Sequence, residues 1–453
     1  MARDRKIELD LLRGFEEYLP QDQLQFNALI DLIRRNFELF GFLPIETPSA
    51  ERREVLTSKG GSEKEIYALT RLAEAGDDEA ANKGALRFDL TVPLARYVAL
   101  HERELAFPFR RYQIQRVWRG ETPQAQKGRF REFYQCDIDV INRDQLSPLA
   151  EAEIPSVIYS VFREMAIGEF RIRINNRKVL KGLLQEFGVP EAKAPGVLRA
   201  LDKHDREDAA KIRQDLEREG MRPGSAGQLH ELVSGKRETG DTLSILGKFR
   251  SSLCQQGLKD LENVAAAIRQ FGVPDSAFLV DLGVVRGLDY YTGTIYETAL
   301  TAHPEVGSIC SGGRYDDLAG YFTNTRLPGV GISIGLTRLF SRLREAKLLQ
   351  PLDRTPAEVL VTTMDPQSLE KYLKMAAALR AAGVNTEVYL EAAKIDKQLA
   401  YANRKGFRVA LIAGESEFAN NMVKVKNLAT REERAARDHE LVQAVRFALK
   451  NES

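Results

Sequence analysis

The sequence predicts an α+β domain built on a mainly antiparallel sheet, interrupted by a helical insertion and followed by a smaller α/β domain. Three observations carry this. Two long runs that alternate polar with large apolar residues, RRYQIQRVWRG and GRFREFYQCDIDVI, flank the polar loop ETPQAQKG, which reads as a pair of long strands. Residues 181–271 turn to Ala, Leu, Lys and Glu at helical spacing, without a dense polar-aromatic motif. After QPLDRTP, strand-like and helix-like segments alternate, the pattern of a separate α/β unit. A chain of 453 residues also exceeds one ordinary core.

The elements follow in order. Phe26, Leu29, Ile30, Ile33 and Phe37 recur at helical spacing ahead of Gly41, so residues 20–40 form an amphipathic helix. FLPIETPSAE is extended and belongs at a sheet edge, where Pro48 does least harm to a ladder. Strand, helix and two long strands fill Leu86 to Val140. The large domain thus spans 1–180, breaks for the insertion at 181–271 and resumes at 272–348, its sheet pattern passing into a helix over Leu336–Leu348. Residues 349–356 are a linker. In the C-terminal domain, 357–453, the segments EVLVTT, TEVYL, RVALIAG and MVKVKNL read as strands. Helices are expected near 368–382 and 395–405, and a charged helix after Thr430.

Lys plus Arg number 66 against 65 for Asp plus Glu, so there is no global polyanion signal and any nucleic-acid surface is local. Cys136, Cys254 and Cys310 form no CxxC pair and have no His cluster beside them, so no zinc site is expected and a reducing compartment fits. No apolar run reaches about 18 residues. The expectation is a soluble, cytoplasmic protein that makes no membrane contact.

Four segments concentrate chemistry. In VVRGLDYYTGTIYE, Arg286 offers a permanently charged fork suited to carboxylate or phosphate, and Tyr290 and Tyr291 add rings with polar tips. Alone, this segment also fits an ordinary strand with one snorkelling arginine. On the second long strand, alternation sends Arg129, Gln135 and Asp139 to one face and Phe130, Tyr134, Cys136, Ile138 and Val140 to the other. Arg119 ends the first strand beside the polar face, and Glu121 opens the loop. Any half-exposed sheet alternates, but arginines, acids and a glutamine interleaved with large aromatics point to a small-molecule site. In RFDLTVPLARY, Thr91 is placed as the cap of a helix with Pro93 in its first turn, leaving Asp89 to hold an ammonium. SICSGGRYDDL carries Tyr315. In LPGVGISIGLTRLF, Gly329, Gly331 and Gly335 let a flat ligand approach the backbone, and Arg338 on the following helix reaches toward phosphate.

Together and in this order, these motifs resemble those of the histidyl-tRNA synthetases, which are class II aminoacyl-tRNA synthetases. VWRGE followed by GRFREFYQCDID is similar to the second class II signature and PGVGISIGLTR to the third. The helix at 20–40 with the strand ending near Pro48 is a weaker first signature, which in the family forms the homodimer interface. VVRGLDYYTGTIYE and SGGRYDDL resemble the two histidine-specific motifs. AAALRAAGVNTEVYL, KQLAYANRKG and GESEFANNMVKVKNL resemble the family's anticodon-binding domain.

The resemblance implies a class II catalytic fold that activates L-histidine with ATP, releases pyrophosphate and transfers histidine to tRNA(His), with Mg2+ accompanying ATP. It implies Arg119 on the α-phosphate, Glu121 at the adenine amino group, and Arg129 and Arg338 on the terminal phosphates. Asp89, Thr91 and Gln135 would hold the ammonium and carboxylate of histidine; Asp139 and Tyr291, with Tyr290 and Tyr315 lining the pocket, would face its imidazole. Arg286 would be an additional catalytic cation at the α-phosphate. Gln124 and Lys127 are expected at the acceptor stem; Arg404, Lys424 and Lys426 are candidate C-terminal tRNA contacts, and a solvated basic face fits each of them equally well. Trp118 stands where the second signature usually has Phe or Tyr, and Asp139 is an acid one methylene shorter than the Glu that the position also admits. The chief rival is an inactive paralogue, the regulatory subunit of ATP phosphoribosyltransferase; retention of Arg119, Glu121, Arg129, Arg286, Arg338 and a C-terminal domain opposes it. Full catalytic motifs likewise oppose a sensor domain for uncharged tRNA.

Overall fold

The computed structural model describes residues 8–58, 63–71, 83–124, 128–286, 291–317, 319–349 and 354–450. The chain divides into two compact units, Met1–Glu16 with Leu29–Leu349 and Glu17–Ala28 with Gln350–Ser453.

In the larger unit the strands in chain order are β1 (Leu43–Pro44), β2 (Ala50–Arg52), β3 (Gly84–Leu86), β4 (Phe109–Trp118), β5 (Glu132–Ile141), β6 (Phe170–Asn176), β7 (Phe278–Val280), β8 (Thr294–Leu300), β9 (Ser308–Tyr315) and β10 (Gly329–Gly335). Among the described residues, eight of them form one sheet in the order β1-β4-β5-β10-β9-β8-β6-β7. The β1–β4 and β6–β7 pairs at its two edges are parallel and every pair between them is antiparallel. β2 and β3 form a separate two-stranded sheet. The proline-rich segment does reach the edge of the large sheet, but only through two residues; Pro48 lies outside any strand.

Register explains why the sheet has two unlike faces. Gln113 of β4, Asp137 of β5, Ser333 of β10, Ser311 of β9, Glu297 of β8 and Arg173 of β6 are direct cross-strand partners in succession, so their side chains stand on one side. The neighbouring row Tyr112, Ile138, Ile332, Gly312, Tyr296 and Ile174 faces the opposite way and is buried throughout. That apolar face is where helices pack.

The helices of this region are α1 (Pro20–Leu39), α2 (Arg53–Thr57), α3 (Thr91–Leu100) and α4 (Pro148–Met165), then α5 (Arg177–Glu186), α6 (Ala194–Leu201), α7 (Ala209–Arg218), α8 (Pro223–Ser234), α9 (Thr239–Leu246), α10 (Ser252–Gln270) and α11 (Leu336–Glu345). Ser147 caps α4 by accepting from Leu149 N, with Pro148 in its first turn, the arrangement expected where N–H groups lack partners. α4 is stitched to the sheet by Glu151, whose carbonyl accepts from Tyr296 Oη at 2.6 Å and whose carboxylate takes Arg314 at 2.7 Å. α5 and α10 approach closely because glycines face backbone: a Cβ on Gly182 would fall 2.3 Å from Cys254 N, and one on Gly257 2.6 Å from Val179 N.

In the smaller unit, β11 (Val359–Val361), α12 (Leu369–Ala381), β12 (Thr386–Val388), α13 (Ile395–Lys405), β13 (Val409–Ile412), α14 (Glu415–Ala419), β14 (Met422–Asn427), β15 (Glu433–Arg437) and α15 (Leu441–Lys450) build a sheet ordered β12-β11-β13-β14-β15. Its core gathers Val361, Tyr372, Leu379, Leu411, Val425 and Val445. The charged segment expected to be helical after Thr430 begins instead as β15, which pairs antiparallel with β14. ERAAR buries only Ala436, at 3%, and leaves its charged side chains exposed, which suits an edge strand.

Candidate active site

The polar face of the sheet is floored by strands without side chains. A Cβ on Gly331 would lie 2.2 Å from Asp139 Oδ1, one on Gly313 2.9 Å from the Tyr291 ring, and one on Gly329 2.4 Å from the Tyr315 ring. Three bare positions on β9 and β10 therefore receive the three side chains expected to surround imidazole. Tyr315 Oη donates to Asp139 Oδ1 at 2.8 Å, and Asp139 Oδ2 meets Arg111 Nη2 at 2.5 Å. Both members of that ion pair are buried. Gln135 Nε2 donates to Ser333 Oγ at 2.8 Å.

Burial pushes Asp137 up to about 7 and Asp139 up to about 6, in both cases against the pull of Arg111. Burial also raises the Tyr291 hydroxyl, with Asp139 and Asp137 adding to it, which places its ring beside both acids. Gln135 Oε1 and Asp137 Oδ1 are buried without a hydrogen-bond partner. Acceptors in that condition favour a ligand that brings N–H groups.

The capping contact read for Thr91 is made by Asp89 instead. Thr91 is the first helical residue of α3, while Asp89 Oδ1 accepts from Val92 N at 3.0 Å and caps the helix. Asp89 still lies close enough to act on Asp137 and Tyr291. One carboxylate both ends the loop and borders the pocket.

Cations gather at the other end of the same face. Arg119 directly follows β4; its guanidinium lies 4.5 Å from the Phe88 ring and 5.0 Å from the Phe133 ring, and Nε donates to Phe88 O at 3.2 Å. Phe133 shares its face of β5 with Gln135. Arg129 does not belong to that face: β5 begins only at Glu132, and Arg129 is exposed in a bridge with Gln124, its guanidinium 3.8 Å from Glu121. The glycine at 128, with φ of 65°, turns the chain before the strand starts. Arg338 on α11 packs over Gly128; burial lowers its pKa, and Arg286, Arg129, Arg342 and Arg206 lower it further. Its Nε is buried without a partner. Arg286 Nε is held by Glu297 Oε1 at 2.6 Å. A half-buried guanidinium with an unsatisfied Nε, set among further arginines, favours a polyanionic ligand.

Tyr290 and Lys127 lie outside the described residues. Arg404 is exposed on α13, and Lys424 and Lys426 on β14 pair with Glu417 at 2.9 Å and Glu433 at 2.7 Å. Sequence reasoning missed Arg111, Asp137, Ser333 and Glu297. For Asp137 the signal was present, since it lies midway between Gln135 and Asp139 on the same parity; Arg111 and Glu297 become visible only through cross-strand register.

A mainly antiparallel sheet joining a buried acidic pocket to an arginine cluster, followed by a separate α/β domain, is the architecture of a class II aminoacyl-tRNA synthetase. Residues 14–339 match the sequence profile described as Histidyl-tRNA synthetase, and residues 358–447 match that described as Anticodon binding domain. Similar proteins include the histidine–tRNA ligases of Xanthomonas oryzae pv. oryzae, 48% identical over 436 residues, and Stenotrophomonas maltophilia, 48% identical over 433, each alignment covering 92% of both chains. The crystal structure of histidyl-tRNA synthetase from Nostoc superposes with a TM-score of 0.89 at 41% identity, covering 98% of this chain and 100% of that one. The chain belongs to the histidyl-tRNA synthetase family.

Proposed function

We propose that the chain acts as a histidine–tRNA ligase through two displacements on this sheet face. A carboxylate oxygen of histidine attacks the α-phosphorus of ATP and pyrophosphate leaves; a terminal ribose hydroxyl of tRNA(His) then attacks the acyl carbon and AMP leaves. The observation that carries the reading is the polar face on which the acids Asp137 and Asp139 adjoin arginines, one of them Arg338, whose Nε is buried without a hydrogen-bond partner.

Asp139, fixed by Arg111 and Tyr315, accepts an imidazole N–H, with Tyr291 facing the ring. Asp89 and Gln135 supply acceptors to the ammonium, and Thr91 borders the carboxylate. Arg119 and Arg286 neutralise charge developing on the α-phosphate, Arg129 and Arg338 hold the outer phosphates, and Glu121 accepts from the adenine amino group. Catalysis then rests on positioning and charge. Mg2+ enters with ATP as its counter-ion, and no zinc takes part.

Gln124 and Lys127 would meet the acceptor stem, and Arg404, Lys424 and Lys426 the tRNA on the C-terminal domain. A homodimer along β1, where Leu39 and Leu43 are 76% and 61% exposed, in the cytoplasm completes the reading. Among the described residues no helix is long and apolar enough to cross a membrane. Histidine-dependent ATP–pyrophosphate exchange is the test: exchange absent with histidine, or equal with other amino acids, rejects the reading.

A further inference from the structure

The polar row continues beyond Ser311 to two charged residues that connect Arg286 with the helical insertion. The Glu297 carboxylate is shared: Oε1 holds Arg286 Nε at 2.6 Å and Oε2 takes Arg173 Nη1 at 3.3 Å. Arg173 Nε meets Asp281 Oδ2 at 2.6 Å, and its Nη1 also reaches Asp205 Oδ2 at 3.4 Å. Asp205 lies between α6 and α7, in the insertion. Its other oxygen accepts from His204 Nε2 at 3.0 Å.

The second contact is steric. A Cβ on Gly283 would fall 2.7 Å from His204 Nε2 and 2.9 Å from Arg173 Nη2, so this stretch of chain passes directly beneath the insertion. The same stretch runs into Arg286 and is shaped by Asp281, whose Oδ1 accepts from Gly283 N at 2.8 Å and whose carbonyl accepts from Val284 N at 3.2 Å. The insertion thus touches both the carboxylate network that holds Arg286 and the backbone that delivers it. All of these groups border one cleft of about 910 Å³.

We propose that the helical insertion sets the aim of Arg286 through the chain Asp205, Arg173 and Glu297, making Glu297 and Arg173 positioning residues for adenylate formation. The inference rests on the assignment of Arg286 to the α-phosphate. Its physical basis is competition for one buried carboxylate. Glu297 is 6% exposed, so its two guanidinium contacts act at low dielectric and are strong. Arg173 divides its charge among Asp205, Asp281 and Glu297; when Asp205 withdraws, Arg173 draws harder on Glu297 and Arg286 loses its fixed partner. The His204 hydrogen bond, the larger effect, holds the Asp205 carboxyl down to about 2, with Arg173 also lowering it; the link is therefore ionised at working pH.

The test uses the full-length protein with Asp205→Asn, Arg286→Ala and the double variant, each read by kcat and KM in histidine-dependent pyrophosphate exchange. Asp205→Asn is expected to lower kcat about fivefold or more while the KM for histidine stays within about twofold. In the Arg286→Ala background the same substitution should change kcat by less than about twofold, because the two residues act along one path. An unchanged kcat in Asp205→Asn, or an equal loss in both backgrounds, overturns the inference while leaving Arg286 its role. Full kcat in Arg286→Ala overturns that role and the inference with it. Arg173→Lys gives an independent check: it keeps the charge but loses the fork that spans three carboxylates, so it should lower kcat in the parent and not in Arg286→Ala.

Discussion

Replacing Arg111 by methionine removes the cation paired with Asp139 in the proposed histidine pocket without opening a large void. Arg111 is 0% exposed and Asp139 5%, so the substitution leaves a carboxylate buried without its partner, a loss of about 3–5 kcal/mol. The group escapes that cost by protonating. Asp139 ionises at about 6 with Arg111 in place, burial having raised it and Arg111 having lowered it. A loss of about 3 kcal/mol corresponds to about two further pH units, moving the midpoint to about 8. At pH 7 the ionised fraction then falls from about nine-tenths to about one-tenth. The histidine KM should rise about tenfold at pH 7 and recover as pH approaches 9, with the ATP KM little changed. Pyrophosphate exchange measured from pH 6.5 to 9 reads this directly. A KM profile that coincides with the parent's would refute the idea that Asp139 must be a carboxylate to accept the imidazole N–H.

Four further outcomes follow from the same geometry. Asp89→Asn keeps an oxygen for Val92 N and should leave the unfolding midpoint unchanged while raising the histidine KM; Asp89→Ala should also lose about 1 kcal/mol of stability with the cap, read by thermal melts. Arg338→Met removes a half-buried guanidinium whose Nε has no hydrogen-bond partner, so the ATP KM should rise about tenfold with no loss of thermal stability. Asp137 is raised by burial to about 7, so its protonated form is the one the fold favours and its ionisation costs stability as pH climbs from about 4 through 7; the melting temperature of Asp137→Asn relative to the parent should therefore increase between pH 5 and pH 8. Lys424→Ala combined with Lys426→Ala should weaken tRNA charging and leave exchange intact; equal losses in both assays would remove these lysines from tRNA recognition.

The parts of the site legible in the sequence were those set by local rules. Strand parity places Gln135 and Asp139 on one face because the period of two needs no knowledge of the partner strand. The glycines of β10 announced a close approach for the same reason. Arg129 was misplaced because parity was carried back beyond Glu132, where β5 begins, into the turn that follows Gly128. Arg111 sits in RRYQIQR, which reads as a wet strand; its burial depends on lying opposite Asp139 in register, and register belongs to two segments at once. The capping contact moved from Thr91 to Asp89 for another reason: either side chain satisfies capping preference, and the helix start at Thr91 puts Thr91 inside the helix while Asp89 reaches Val92 N. β15 was read as helix because Glu, Arg and Ala favour helices until an adjacent edge offers a ladder.

The two rings around Arg119 have a consequence for how nucleotide is taken up. With Phe88 at 4.5 Å and Phe133 at 5.0 Å from its guanidinium carbon, and Nε tethered to Phe88 O, the group has already surrendered most of its rotational freedom in the unliganded protein. An ordered arginine ordinarily charges that loss against binding, about 0.5–1.5 kcal/mol for a rotamer-rich side chain. Here the fold already restrains the group, so the phosphate contact proposed for Arg119 would carry a smaller additional entropic penalty. Shortening either phenylalanine would loosen the grip on nucleotide without deleting a single polar contact.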